Sequence, residues 1–462
     1  MRYFLAAILA CSSWVAGATS IGAAKAPRNV ILIIGDGMDD QQISIARNYL
    51  RGASGRLLLD EMPARAAVGV LTIEDREDGA PVYVADSANT ATSLATGAIT
   101  SRGRIATSAG SDLDLPTIVE LAAAQGLRTG IVTTASVTDA TPAAFASHVS
   151  LRLCQAPDEM VDIRYRDVYL GGCEADLVAN GGMGSIAEQL ATSPLNVILG
   201  GGSRYFAPPA EGQQISVLEL AAQRGFLTVS SGEELAAAGP GERLLGLFSE
   251  GAMPVRLQGD GASAAQAPRP SLLNRLHPYL GSVELPAPSR CVPNPAAAAT
   301  PGLRQMTDAA LARLSRDNAR GFFLMVESAS IDKQAHERKA CGSIGEIEQL
   351  EEALASALAF ATAHPDTLVL VTADHAQAAQ LVPVESLYAS YPIPIYTPGM
   401  LVRIETPEGS LMAINYATSN FSREEHTGAN VPLFGNAVAL GLIPAYLPQP
   451  QLFGIMRDYL DL

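Results

Sequence analysis

The chain has 462 residues, 48% hydrophobic and 17% charged, a composition that excludes intrinsic disorder over most of its length and supplies a large core. Lys and Arg total 31 against 47 Asp and Glu, a formal net charge of −16 with no basic cluster. That excludes nucleic acid as a specific partner, because phosphate backbones are met by cationic side chains; a small anion is still allowed, held by one buried Arg or a metal ion.

The N-terminus reads as an export signal. Met1-Arg2 precedes an apolar run from Tyr3 to Ala10 that continues through Trp14-Val15, and small residues follow at Ala16-Gly17-Ala18 and Ala24-Lys25-Ala26. This predicts a cleaved signal peptide over 1–26 and a periplasmic or secreted protein, since the run is too short to span a bilayer permanently. Cleavage removes Cys11 and leaves four Cys, an even number suited to an oxidising compartment. The competing reading makes Cys11 a lipidated residue, but only ten residues precede it. No later stretch predicts a membrane span.

Strands and helices then alternate. Arg28 to Ile34 is an apolar run leading into Gly35-Asp36-Gly37-Met38. Leu115 to Gln125 predicts a helix stopped by Gly126, and Thr129 to Thr134 a strand that precedes Asp139 and Thr141. The stretch around 250–300, rich in Pro, Ala and Gly, predicts an irregular surface excursion. Met306 to Arg316 predicts an amphipathic helix, and Phe322 to Val326 a strand ending at Glu327. Glu346 to Ala363 predicts the longest helix, and Thr367 to Val371 a strand running to Asp374-His375. Apolar runs without polar alternation suit strands buried on both faces. The pattern predicts an α/β fold with a doubly wound, mainly parallel central sheet, built from 27–462 as one unit, with functional groups at the carboxyl ends of the strands.

Those ends carry Asp36, Asp139, Glu327 and Asp374-His375. Asp332 and His336 are four apart, on one face of a helix, where they can grip one cation. With His426, in a turn-like Glu425-His426-Thr427-Gly428, and Asp374-His375, they offer mixed ligation that suits zinc. Oxygen-only ligation by Asp36, Thr141 and Glu327 suits magnesium. Singly, each is a weak signal, and Asp332-His336 alone reads more readily as a helix surface pair and Asp36 as a turn former; their joint placement at strand ends points to a metal centre. Asp86-Ser87 opens a helix, where a Ser lies among free backbone N–H groups. Either residue there also reads as a plain helix cap. A metal beside Ser87 would lower its hydroxyl pKa and make it a nucleophile. Arg152 offers paired donors that match two phosphate oxygens, or is a surface Arg.

With these residues assembled, the chain resembles the bacterial periplasmic alkaline phosphatases. The series Gly35-Asp36-Gly37-Met38, Asp86-Ser87-Ala88, Asp139-Ala140-Thr141-Pro142, Glu327 through His336, Thr372-Ala373-Asp374-His375 and Glu425-His426-Thr427-Gly428 carries the likeness. The resemblance implies an alkaline phosphatase-like fold, a homodimer, and two Zn2+ and one Mg2+ per subunit. One zinc would lie on Asp332, His336 and His426, and a second on Asp36, Asp374 and His375. Magnesium would lie on Asp36, Thr141 and Glu327, with Asp139 and Lys333 in its outer shell. Ser87 would form a phosphoserine, with Arg152 clamping the phosphate and Asp86 orienting Arg152. Disulfides Cys154–Cys173 and Cys291–Cys341 are implied as well. After Ser87 the chain departs from the family in Asn89-Thr90-Ala91-Thr92, and it matches poorly over 157–182 and after Gly428. His148 and His277 are read as structural, and His364, beside Pro365, as a helix-end residue. The implied activity is hydrolysis of small phosphate monoesters; a phosphodiesterase and an exported zinc- or phosphate-binding protein are the competing readings.

Overall fold

The computed structural model describes residues 27–462 apart from 240, 242, 263, 278, 386–389 and 391–397; the expected signal segment 1–26, with Cys11, lies outside the described residues. Val30 to Ile34 expose no surface, so their strand must lie within a sheet covered on both sides. Among the described residues the sheet has ten strands: β1 (Arg28–Gly35), β2 (Ala64–Gly69), β3 (Arg128–Ser136), β4 (Val197–Gly201), β5 (Phe226–Val229), β6 (Arg243–Leu247), β7 (Gly321–Ser328), β8 (Thr367–Ala373), β9 (Val431–Gly435) and β10 (Tyr446–Pro448). Their spatial order is β10-β2-β9-β8-β1-β7-β3-β4-β6-β5. All run parallel except β9, which opposes both β8 and β2.

Helices cover both faces, as a doubly wound sheet requires. They include α1 (Asp40–Arg51), α2 (Ser87–Thr96), α3 (Ile118–Ala124), α4 (Leu303–Ser315), α5 (Ser330–His336), α6 (Ala340–Ala363) and α7 (Pro450–Leu460). On one face α1, α4 and α5 pack around α6; on the other α2, α3 and α7 pack together. The expected helices are present with shifted ends. α3 starts after Thr117, whose hydroxyl accepts from Glu120 N in a capping box. α6 begins six residues before the expected Glu346, at Ala340. Gly342 and Gly345 disguised that start, and close packing is their reason: a Cβ on Gly342 would lie 2.2 Å from Gln334 Oε1, and one on Gly345 2.8 Å from Leu257 N.

Two features depart from the sequence reading. A second, four-stranded sheet combines Gln380–Val382, Met400–Glu405, Leu411–Tyr416 and Pro288–Ser289. The excursion around 250–300 contains regular pieces: Leu257–Gly259 pairs with Cys291–Pro293, Arg269–Pro270 with Val283–Glu284, and Leu272–Leu276 is helical. No helix among the described residues is long and apolar enough to cross a membrane.

Register places the site. Gly35 pairs with Ser328 on one side and Ala373 on the other, and Glu327 with Thr133. The carboxyl ends of β8, β1 and β7 therefore stop at one level, with β3 running on to Ser136 beside them, and the residues just beyond them face one crevice.

Candidate active site

Ser87 is the first residue of α2, preceded by Asp86 in an extended conformation. Both readings of this segment hold at once. Asp86 caps the helix, accepting from Asn89 N at 3.1 Å, and this fixes Ser87 at the open amide end. The Ser87 hydroxyl lies 3.1 Å from His375 Nε2. His375 Nδ1 faces the Ala376 carbonyl at 3.3 Å and so carries the proton, which leaves Nε2 a bare acceptor toward Ser87.

Around His375 stand Asp36 and Asp374, whose ligand atoms lie with it within 4.8 Å of one another. His375 Nε2 is 3.5 Å from Asp36 Oδ1 and 3.3 Å from Asp374 Oδ2. Those two carboxylate oxygens are buried and have no hydrogen-bond partner. Orphaned acceptors of that kind are costly unless a cation joins them. Burial, and then the negative charges of Asp374, Asp332 and Glu327, push the Asp36 carboxyl well above its ordinary range. Burial likewise pushes the His375 imidazole down to about 4, which keeps it neutral and able to donate a lone pair.

The second cluster is Asp332, His336 and His426, also within 4.8 Å. The four-residue spacing does place Asp332 and His336 on one face of α5, with Nε2 of His336 3.3 Å from Asp332 Oδ2. His426 Nε2 lies 3.4 Å from Asp332 Oδ1 and 3.0 Å from His336 Nε2. Both rings donate Nδ1–H to backbone carbonyls, His336 to Glu424 and His426 to Ala85. Their Nε2 lone pairs are thereby aimed at one another and at a carboxylate. Such a set is stable only around a positive charge, and two imidazoles with one carboxylate fit zinc. Burial opposes charge on His426, yet Asp332 outweighs it and lifts that imidazole to about 9, a proton standing where a cation fits. The His375 and His426 rings stack at 3.6 Å between centroids, so the two clusters are contiguous.

Arg152 is held by Asp86, the residue before Ser87. Its Nη1 donates to Asp86 Oδ2 at 3.3 Å and its Nη2 to Asp139 Oδ1 at 3.0 Å. Lys333 binds the other oxygen of Asp139. Despite burial, these two cations hold Asp139 far below the usual carboxylate range. Beyond them Glu327, 1% exposed, accepts from Thr133 and Thr141 hydroxyls. Burial pushes its carboxyl up to about 7. The charge of Glu327 acts in turn on Asp36, and an oxygen-only set of Glu327, Thr141 and Asp36 would suit magnesium. Contacts thus run from Ser87 through His375, Asp36 and the Asp332–His336–His426 cluster, and from Asp86 through Arg152 and Asp139 to Lys333. The disulfides Cys154–Cys173 and Cys291–Cys341 are present too. His148 is structural, bridging the Ala106 carbonyl and Glu120.

Sequence reasoning missed four supporting groups. Gln377, fully buried, donates Nε2–H to Asp332 Oδ1. Gln449 Nε2 donates to the Asp374 carbonyl at 2.7 Å. Glu424 holds His336 through its backbone, and its carboxylate is gripped by Arg338 at 2.7 Å. Gln377, Arg338 and Glu424 each lie two residues from an expected histidine, His375, His336 and His426, which was the one available signal; Gln449 is distant in sequence.

The alkaline phosphatase family matches residues 27–439. The chain is 40% identical over 449 residues to an alkaline phosphatase of Escherichia fergusonii, spanning 95% of this chain and 87% of that one. It is also 40% identical to a streptomycin-6-phosphate phosphatase of Streptomyces griseus, over 94% and 91%. The structure of an alkaline phosphatase from the Antarctic bacterium TAB5 superposes with a TM-score of 0.65 at 22% identity, over 95% of this chain and 99% of that one, and shares its fold. Ordered motifs, fold and relatives agree: the chain belongs to the alkaline phosphatase family and is a phosphate monoester hydrolase.

Proposed function

We propose that hydrolysis runs through a phosphoserine on Ser87, in a site that holds two Zn2+ and one Mg2+ per subunit. The observation that carries this is the Ser87 hydroxyl 3.1 Å from His375 Nε2, beside the orphaned oxygens of Asp36 and Asp374. Asp36, Asp374 and His375 would hold one zinc, and Asp332, His336 and His426 the other; Asp36, Thr141 and Glu327 would hold magnesium. When bound, these ions lower the pKa of the serine hydroxyl and of water and offset charge on the oxygens of an in-line displacement. Ser87 Oγ attacks phosphorus, the alcohol departs with a proton, and water then cleaves the Ser87–phosphate bond.

Arg152 presents paired N–H donors to two phosphate oxygens, and Asp86 and Asp139 keep its plane fixed. Lys333 restrains Asp139 beside the magnesium oxygens. Two terminal oxygens are free on a monoester and partly blocked on a diester, so faster turnover of a bis-ester than of a monoester would reject this assignment. Ser87→Ala is expected to lower kcat by more than about a thousandfold, as loss of a nucleophile does, and to abolish acid-trapped phosphoserine. Unchanged phosphate release would overturn the reading. Export by the 1–26 signal segment fits the two disulfides. We read 27–462 as one catalytic unit that acts as a homodimer on small phosphate monoesters.

A further inference from the structure

Most arginines near the site are committed to acids: Arg152 to Asp86 and Asp139, and Arg104 to Asp75 and Asp112. Arg102 is different. It is exposed and makes no ion pair among the described residues; its Nε donates to the Val84 carbonyl at 2.8 Å, and Nη2 shares that acceptor. Nη1 is left without a hydrogen bond among the described residues.

The surrounding backbone puts this cation on the rim of the phosphate site. Gly103 N–H donates to both Asp86 oxygens, at 3.2 and 3.1 Å, and the Gly103 carbonyl accepts from Arg152 N at 2.6 Å. Val84 precedes Ser87 by three residues, so the guanidinium lies within about 12 Å of the Ser87 backbone. The next carbonyl, of Ala85, holds His426 Nδ1 at 2.9 Å. A Cβ on Gly428 would meet the Tyr83 carbonyl at 2.5 Å, so the segment bearing His426 closes the other side. Tyr83 itself is 72% exposed, which marks this stretch as open to solvent.

We infer that Arg102 forms an outer subsite for the leaving alcohol, selecting phosphate monoesters whose alcohol carries a second negative charge, such as a carboxylate or another phosphate. This rests on Ser87 as the attacking group, because that fixes where the alcohol points. A guanidinium already held by one carbonyl has little freedom left to lose, and its free edge suits an anion. In a chain of formal charge −16, an unpaired cation on the rim also offsets repulsion of an anionic ester.

The test compares kcat/KM for 4-nitrophenyl phosphate with that for phosphoglycolate, in the metal-loaded enzyme and in Arg102→Gln and Arg102→Lys. The ratio favouring phosphoglycolate is expected to fall roughly fivefold in Arg102→Gln, the size of a partly exposed ion pair. It is expected to recover in Arg102→Lys, and in the unaltered enzyme to decline as salt is raised. If Arg102 only pins the Val84 carbonyl, both substrates slow in proportion; an unchanged ratio overturns the subsite. A failure of the nucleophile assignment shows separately, as 4-nitrophenyl phosphate turnover that survives Ser87→Ala.

Discussion

Gln377 exposes no surface, and its Nε2 donates to the same Asp332 oxygen that faces His426. Its own Oε1 accepts from Ala378 N at 2.9 Å, so the amide cannot be flipped without losing both bonds. Groups that orient a ligating carboxylate in this way typically change metal affinity by 10–100-fold when removed. Gln377→Leu keeps the volume and deletes both polar atoms. It is expected to weaken zinc retention by roughly tenfold or more, read by competition with a chromophoric chelator; retention equal to the unaltered protein would make the amide a packing residue only. The contrast between Gln377 and its neighbours shows what a sequence displays at this scale. Asp36 and Asp374 stood out because each follows directly on a buried strand and their joint placement at strand ends outweighs the plain reading of either as a turn former. Gln377, Arg102 and Glu424 are ordinary polar residues until the fold brings up partners 45, 18 and 88 positions away.

Elements follow the same division. β1, β7 and β8 were legible because each is a run of fully buried apolar residues. β9 and β10 were not, since Pro432 and Pro448 contradict a strand in isolation; in β9, Pro432 sits near the end of the antiparallel pairing. The strands Met400–Glu405 and Leu411–Tyr416 are six residues each, and they mix Arg403, Glu405 and Asn415 among apolar residues, so neither shows the unbroken apolar run of the central strands. The disulfides act on elements too. Cys154–Cys173 closes a 19-residue separation directly beside Arg152, whereas Cys291–Cys341 spans 50 and ties the excursion to α6. In the chain-entropy picture they stabilise by about 3 and about 4 kcal/mol. Replacing both members of the first pair with Ser should therefore raise KM as well as lower the urea midpoint, because the loop bearing Arg152 loosens. The same change at the second pair should lower the midpoint with KM nearly unchanged. Equal KM effects would separate Arg152 from its neighbouring bridge.

On the scale of the whole molecule, the site gathers buried negative charge at the centre of a protein already at −16. Without cations, Asp36 is pushed well above its ordinary range and Glu327 up to about 7, both chiefly by burial. A carboxyl whose pKa is higher folded than unfolded binds a proton that the unfolded chain releases. Its contribution to stability is complete below the unfolded value and is lost as pH rises through the folded one. For Glu327 that window runs from its ordinary 4.5 to about 7, a loss on the order of 3 kcal/mol, and Asp36 adds to it in the same direction. Bound cations reverse the sign, because they require ionised ligands and bind more tightly as protons leave. In excess chelator the Tm is therefore expected to fall between pH 5 and pH 8, while with zinc and magnesium it holds or rises over the same interval. Thermal unfolding across that range checks both arms. Two parallel curves would mean that these buried acids are balanced by the chain alone, by Lys333, Arg152 and the imidazoles, and that the fold does not depend on cations to carry its own active site.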